Sequence, residues 1–156
     1  SLRKSKEKSI ISEFLVYASI DLHEIEDKVL PNLLKNKIVV KDRGVDTNCL
    51  YAAIKLTDKN KKNLIENFKE LIKIRELTSP LPDKTIVFTD DFKEIIKRLE
   101  KRDNKKYSKK EIDFLKKVYF GFEELAKEFP NRIVKIDRRN KTEKEVIEEI
   151  NKILLI

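Results

Sequence analysis

The sequence predicts an α/β fold, a parallel sheet covered by helices on both faces. Two observations predict it. Three short β-branched runs, Lys37–Val40, "KTIVFT" and "RIVKID", read as buried strands, and helical patterns separate them. Each run ends on a carboxylate, Asp42, Asp90 or Asp137. In parallel sheets, ligands gather at the carboxyl ends of the strands. For Asp90 and Asp137, a plain turn or cap role is the preferred reading.

The elements follow in order. Ile11, Leu15, Ala18, Leu22, Ile25, Val29 and Leu33 recur at three- and four-residue steps, an amphipathic helical stripe. It is one bent helix or two, because Pro31 removes a backbone donor near its end. The first strand is placed at 37–41. Helices are predicted over 46–56 and 60–73, the second with Leu64, Ile65, Phe68, Leu71 and Ile72 on one face. "ELTSPLPD" is a loop broken by Pro80 and Pro82. After the second strand, Asp90 or Asp91 caps a helix over 92–102. "RDNKKYS" is a charged loop. Ser108 with Glu111 forms a capping box that opens a helix to about 128. A third strand follows Pro130 and Asn131. Thr142 with Glu145 caps the last helix.

Composition bounds the function. The 156 residues suit one domain, residues 1–156, and 40% are hydrophobic, enough for a core. The 41% of charged residues, rich in Lys and Glu, is a bias common in heat-adapted proteins. The net charge of +8 attracts phosphates. Basic and acidic residues interleave, so a mixed-charge surface with local phosphate sites is expected. No module for nucleic acid is visible, although Lys105, Lys106, Lys109 and Lys110 form a basic run. Cys49 is alone, which rules out an internal disulfide and a cysteine metal cluster. It is expected to be buried and inert, and the lone His23 a surface or helix-packing residue. No run approaches the roughly 20 apolar residues of a membrane span. A soluble cytoplasmic protein is expected. The chain has no methionine, even at position 1, so a processed, excised or incomplete chain is expected.

Asp42-Arg43 is an opposite-charge pair at the rim of the core. Read from the residues, it is a structural salt bridge or a phosphate grip. Arg offers a planar fork for phosphate, and the Asp orients it or holds a hydrated magnesium ion.

From Glu13 onward the chain resembles the thymidylate kinases, P-loop nucleoside-monophosphate kinases that phosphorylate dTMP. The resemblance rests on "EFLVYAS", "VLPNLLKNKIVVKDR", Thr47, Tyr51, "LPDKTIVFTD", "RIVKID" and "KEVIEEI", in the family's order. It implies a P-loop kinase-like fold, ATP and Mg2+ as cofactors, dTMP as partner, and a homodimer. The Asp-Arg motif falls on Asp42 and Arg43, with Arg43 gripping the dTMP phosphate and Asp42 placing the metal. Thr47 and Tyr51 line the site, and Tyr17 falls on the aromatic that stacks on thymine. The lid falls at about 98–108. There Arg98 or Arg102 reaches the ATP phosphates and Tyr107 reaches the base. Arg138, in Asp137-Arg138-Arg139, lies near the adenine.

The chain departs from the family in several places. With two glycines, Gly44 and Gly121, it has no G-x-x-x-x-G-K-[ST] loop to cradle ATP phosphates. The family's first strand, which lies between the strands matching 37–41 and 85–89, is missing too, so an incomplete chain of an ordinary kinase is expected. Asp21 stands where an Arg reads the thymine edge. Gly44 replaces an aromatic or His, and Ala52 a common Gln. The alternative is a non-catalytic kinase-fold protein that binds a nucleotide or a protein partner.

Overall fold

The computed structural model describes residues 9–154. The chain divides into two compact units, one up to Leu81 and one from Pro82.

The first unit is helical. Helix α1 spans Ile10–Glu24 and opens on Ser9, whose side chain accepts from the Ser12 amide. A wider π turn, Ile25–Val29, follows, and then the short α2, Leu30–Leu33. Pro31 stands in the first turn of α2, where its missing N–H costs little. The predicted stripe is thus helical throughout, with a π turn between α1 and the turn that holds Pro31. Helix α3 spans Val45–Thr57 and α4 spans Leu64–Glu76. Their shared core holds Leu50, Ala53, Ile54, Phe68 and Leu71, with Phe14 supplied by α1. Cys49 lies in it, fully buried.

Two expectations for this unit need correction. Helix α4 starts at Leu64 rather than 60. The Asn63 side chain accepts from the Glu66 amide at 2.9 Å and the Glu66 carboxylate accepts from the Asn63 amide at 2.8 Å, a capping box that stops the helix extending backward. The strand predicted at 37–41 does not form. A strand is defined by its ladder partner, and among the described residues none pairs with this run. Ile38 and Val40 are 57% and 82% exposed.

The second unit carries the sheet. Strands β1, Thr85–Thr89, and β2, Ile133–Asp137, pair in parallel, with Thr85 opposite Ile133 and Thr89 opposite Asp137. Helices α5, Phe92–Asp103, and α6, Lys109–Glu128, connect them, and α7, Glu143–Leu154, follows. Asp91 caps α5, accepting from the amides of Lys93 and Glu94 at 2.8 and 3.2 Å. The capping boxes at Ser108–Glu111 and Thr142–Glu145 form as predicted. Ile133, Ile136, Leu125 and Val146 make this unit's core. No helix among the described residues is long and apolar enough to cross a membrane.

Candidate acceptor-phosphate site

The Asp42-Arg43-Gly44 turn feeds directly into α3. Arg43 sits at φ 63°, in the left-handed region, which costs a non-glycine residue roughly 1–2 kcal/mol. Its side chain is exposed, and among the described residues no hydrogen bond or ion pair holds it. Gly44 caps α3 at φ 174°, ordinary extended backbone. A Cβ there would meet only the Lys41 stem at 3.8 Å, so the departure to glycine is not forced by space. Because glycine has no side chain, the first amides of α3 lack a side-chain cap. Uncapped amides at a helix start favour an anion. Thr47 and Tyr51 follow one turn apart on α3, both half-buried.

Helix α1 packs on α3. Lys55 donates to both Glu13 oxygens at 2.9 and 2.8 Å, and Asn48 donates to the Phe14 carbonyl at 3.4 Å. Tyr17 lies on this helix and is 58% exposed.

Beside the turn lies a charge network that sequence reasoning missed. Arg75 on α4 is only 1% exposed. It donates to Asp21 Oδ2, to the Ala18 carbonyl at 2.9 Å and to Ser79 Oγ at 3.4 Å. Asp21 Oδ1 accepts from Lys41, which also pairs with Glu24 at 2.7 Å. Burial pulls the Lys41 ammonium down, but its bonds to Asp21 and Glu24 outweigh burial and leave its pKa raised. The Lys41 hydrogen bond holds Glu24 below the usual carboxylate range. The signal was present in the stripes. Arg75 continues Phe68 and Leu71 at helical spacing, and Asp21 sits between Ala18 and Ile25 on the buried side of α1.

In the second unit, Arg98 on α5 pairs with Asp90 at 2.8 Å. Arg102 pairs with Asp103 at 2.7 Å, and the Tyr107 hydroxyl donates to the same carboxylate. These bonds, that of Arg102 first, hold Asp103 at about 2. Arg138 stacks over Phe88, 5.8 Å from the ring centre. Asp137 is engaged by Arg139, which lowers it to about 2. Asp90 and Asp137 thus stand in ion pairs, while Asp91 caps α5. A shallow groove of about 630 Å³ runs past these strand ends, lined by Thr89, Asp90, Tyr119, Phe120, Asp137 and Arg139 among others.

The thymidylate kinase family model matches residues 1–150. The chain belongs to the thymidylate kinase family. It is 35% identical over 150 residues to a thymidylate kinase of Thermoanaerobacter sp. strain X514, covering 94% of this chain and 70% of that one. It is 32% identical over 143 residues to the Rickettsia africae enzyme, covering 91% and 68%. With a crystal structure of thymidylate kinase from Ehrlichia chaffeensis it shares the fold at a TM-score of 0.66 and 21% identity, covering 98% of this chain and 71% of that one. Membership in this kinase family makes the chain a phosphotransferase with the α/β parallel-sheet fold.

The groups the family uses can be tested against the residues present. Among the described residues no three His, Cys, Asp or Glu side chains cluster to hold a metal. Asp42 is an exposed carboxylate. That fits magnesium, which keeps several waters and needs only one or two carboxylates beside substrate phosphates. The ATP phosphates do not find a cradle here. Gly44 starts α3, Gly121 lies within α6, and the 156 residues contain no phosphate-loop motif.

Proposed function

We propose that this chain serves phosphoryl transfer from ATP to dTMP, giving dTDP, and that its residues supply the acceptor side of the reaction. The observation that carries this reading is Arg43, exposed and in a left-handed turn at the uncapped start of α3. A dianionic phosphate there would meet a bidentate guanidinium and backbone amides together. Thr47 and Tyr51 continue along the same helix toward the sugar, and Tyr17 offers an exposed ring for the base. Asp42 would carry the hydrated magnesium, which neutralises phosphate charge when bound.

The segment 98–108 is read as the lid, with Arg98 or Arg102 directed to ATP phosphates, Tyr107 to the base and Arg138 to the adenine. Their present partners, Asp90, Asp103 and Phe88, hold these groups near the protein surface. The exposed apolar residues of α1, Leu15, Val16 and Ile20, support a homodimer through that helix. A cytoplasmic place agrees with nucleotide substrates.

A coupled ADP-release assay on the full-length protein, with dTMP and ATP–magnesium, tests the reading. Turnover is expected with dTMP, and Arg43→Ala should lower it about 10²–10³-fold, the usual loss when a charge-stabilising donor is removed. No turnover with dTMP, dUMP or any other monophosphate overturns the proposal.

A further inference from the structure

We infer that Asp21 and Lys41 form a positioning clamp that sets Arg43 against the acceptor phosphate. The inference rests on the acceptor-phosphate reading of Arg43.

Three observations carry it. First, each Asp21 oxygen has its own cation: Oδ2 takes Arg75 and Oδ1 takes Lys41. Arg75 is rigid, because it is fully buried and bound to the Ala18 carbonyl and Ser79 as well. Asp21 therefore transmits a fixed position in the core to Lys41. Second, Lys41 lies two residues before Arg43, and Glu24 holds it from a second direction at 2.7 Å. On the other side of the turn, Val45 and Cys49 are buried. The Asp42–Gly44 turn is thus pinned at both ends. Third, Arg43 occupies a left-handed conformation that Arg does not choose by itself. Such a conformation persists where its surroundings over-determine it. Releasing Lys41 would free one end of the turn and let Arg43 return to negative φ, swinging the guanidinium away.

With both carboxylate oxygens engaged inside the protein, Asp21 acts through Lys41 rather than by touching a base. The network also explains why two cations converge on one aspartate. Arg75 alone would neutralise it. The second cation is the one that reaches the turn.

The test is calorimetric titration with dTMP and with thymidine, which differ by the phosphate. Wild-type protein should prefer dTMP, and Arg43→Ala should abolish that preference. Lys41→Gln should weaken dTMP binding about tenfold, the loss from one displaced charge-assisted bond, and leave thymidine unchanged. Lys41→Arg should restore most of the preference. Lys41 is partly exposed, so this variant tests the clamp even where Asp21→Asn fails to fold. If Lys41→Gln weakens both ligands equally, or neither, while Arg43→Ala abolishes the preference, the clamp is overturned and the acceptor-phosphate reading stands. A wild-type protein without preference for dTMP overturns both.

Discussion

Removing the Asp21 carboxylate should destabilise the protein sharply, for a reason seated in α4. Asp21→Ala leaves the Arg75 guanidinium buried, at 1% exposure, without its counter-ion. Breaking a buried pair by deleting one partner costs about 3–5 kcal/mol, because an uncompensated charge stays behind. Arg75 keeps the Ala18 carbonyl and Ser79, and Lys41 keeps Glu24. These residual partners put the cost at the low end, about 3 kcal/mol. In a chain of this size that lowers the melting temperature by roughly 6–12 °C, read by circular dichroism. The companion variant Arg75→Met removes the stranded charge. The double variant Asp21→Ala/Arg75→Met should therefore be more stable than the sum of the two single changes, by about 1 kcal/mol or more. A drop below about 3 °C for Asp21→Ala, or strict additivity in the cycle, refutes the reasoning.

Two further outcomes follow from local structure. Asn63→Ala should cost about 1 kcal/mol by removing the capping box of α4, seen as a lower urea midpoint. Glu111 is held at about 2 instead of 4.5 by the Lys105 bond and by the Ser108 amide and hydroxyl. Its folded pKa is depressed, so its stabilisation is fully present above about 4.5 and disappears as the pH falls toward 2. Melting curves of wild type and Glu111→Gln should differ near pH 6 and converge near pH 2. A constant gap across that range contradicts the assignment.

The capping boxes at Ser108 and Thr142, the Asp91 cap and the two paired strands were legible in the sequence because each is decided within a few residues, or by a run with a partner of its own kind. The 37–41 segment has the same β-branched composition as β1 and β2 and still forms no strand, because strand formation depends on a neighbour's backbone. The start of α4 is not legible in "DKNKKN", where Asn63 is one polar residue among several. Its role appears only when the Glu66 side chain folds back on it.

The candidate site divides differently. Arg43, Thr47 and Tyr51 are named by the family resemblance of one stretch of chain, and helical spacing adds that Thr47 and Tyr51 stand one turn apart on α3. The left-handed turn that presents Arg43, and the core charges beside it, belong to the tertiary structure. Asp21 and Arg75 lie 54 residues apart. Each alone looks like a flaw in an apolar stripe. Packing α1 and α4 on the same helix, α3, turns the two flaws into a pair, because a charge removed from water must find its opposite. Lys41 then ties that pair to the turn.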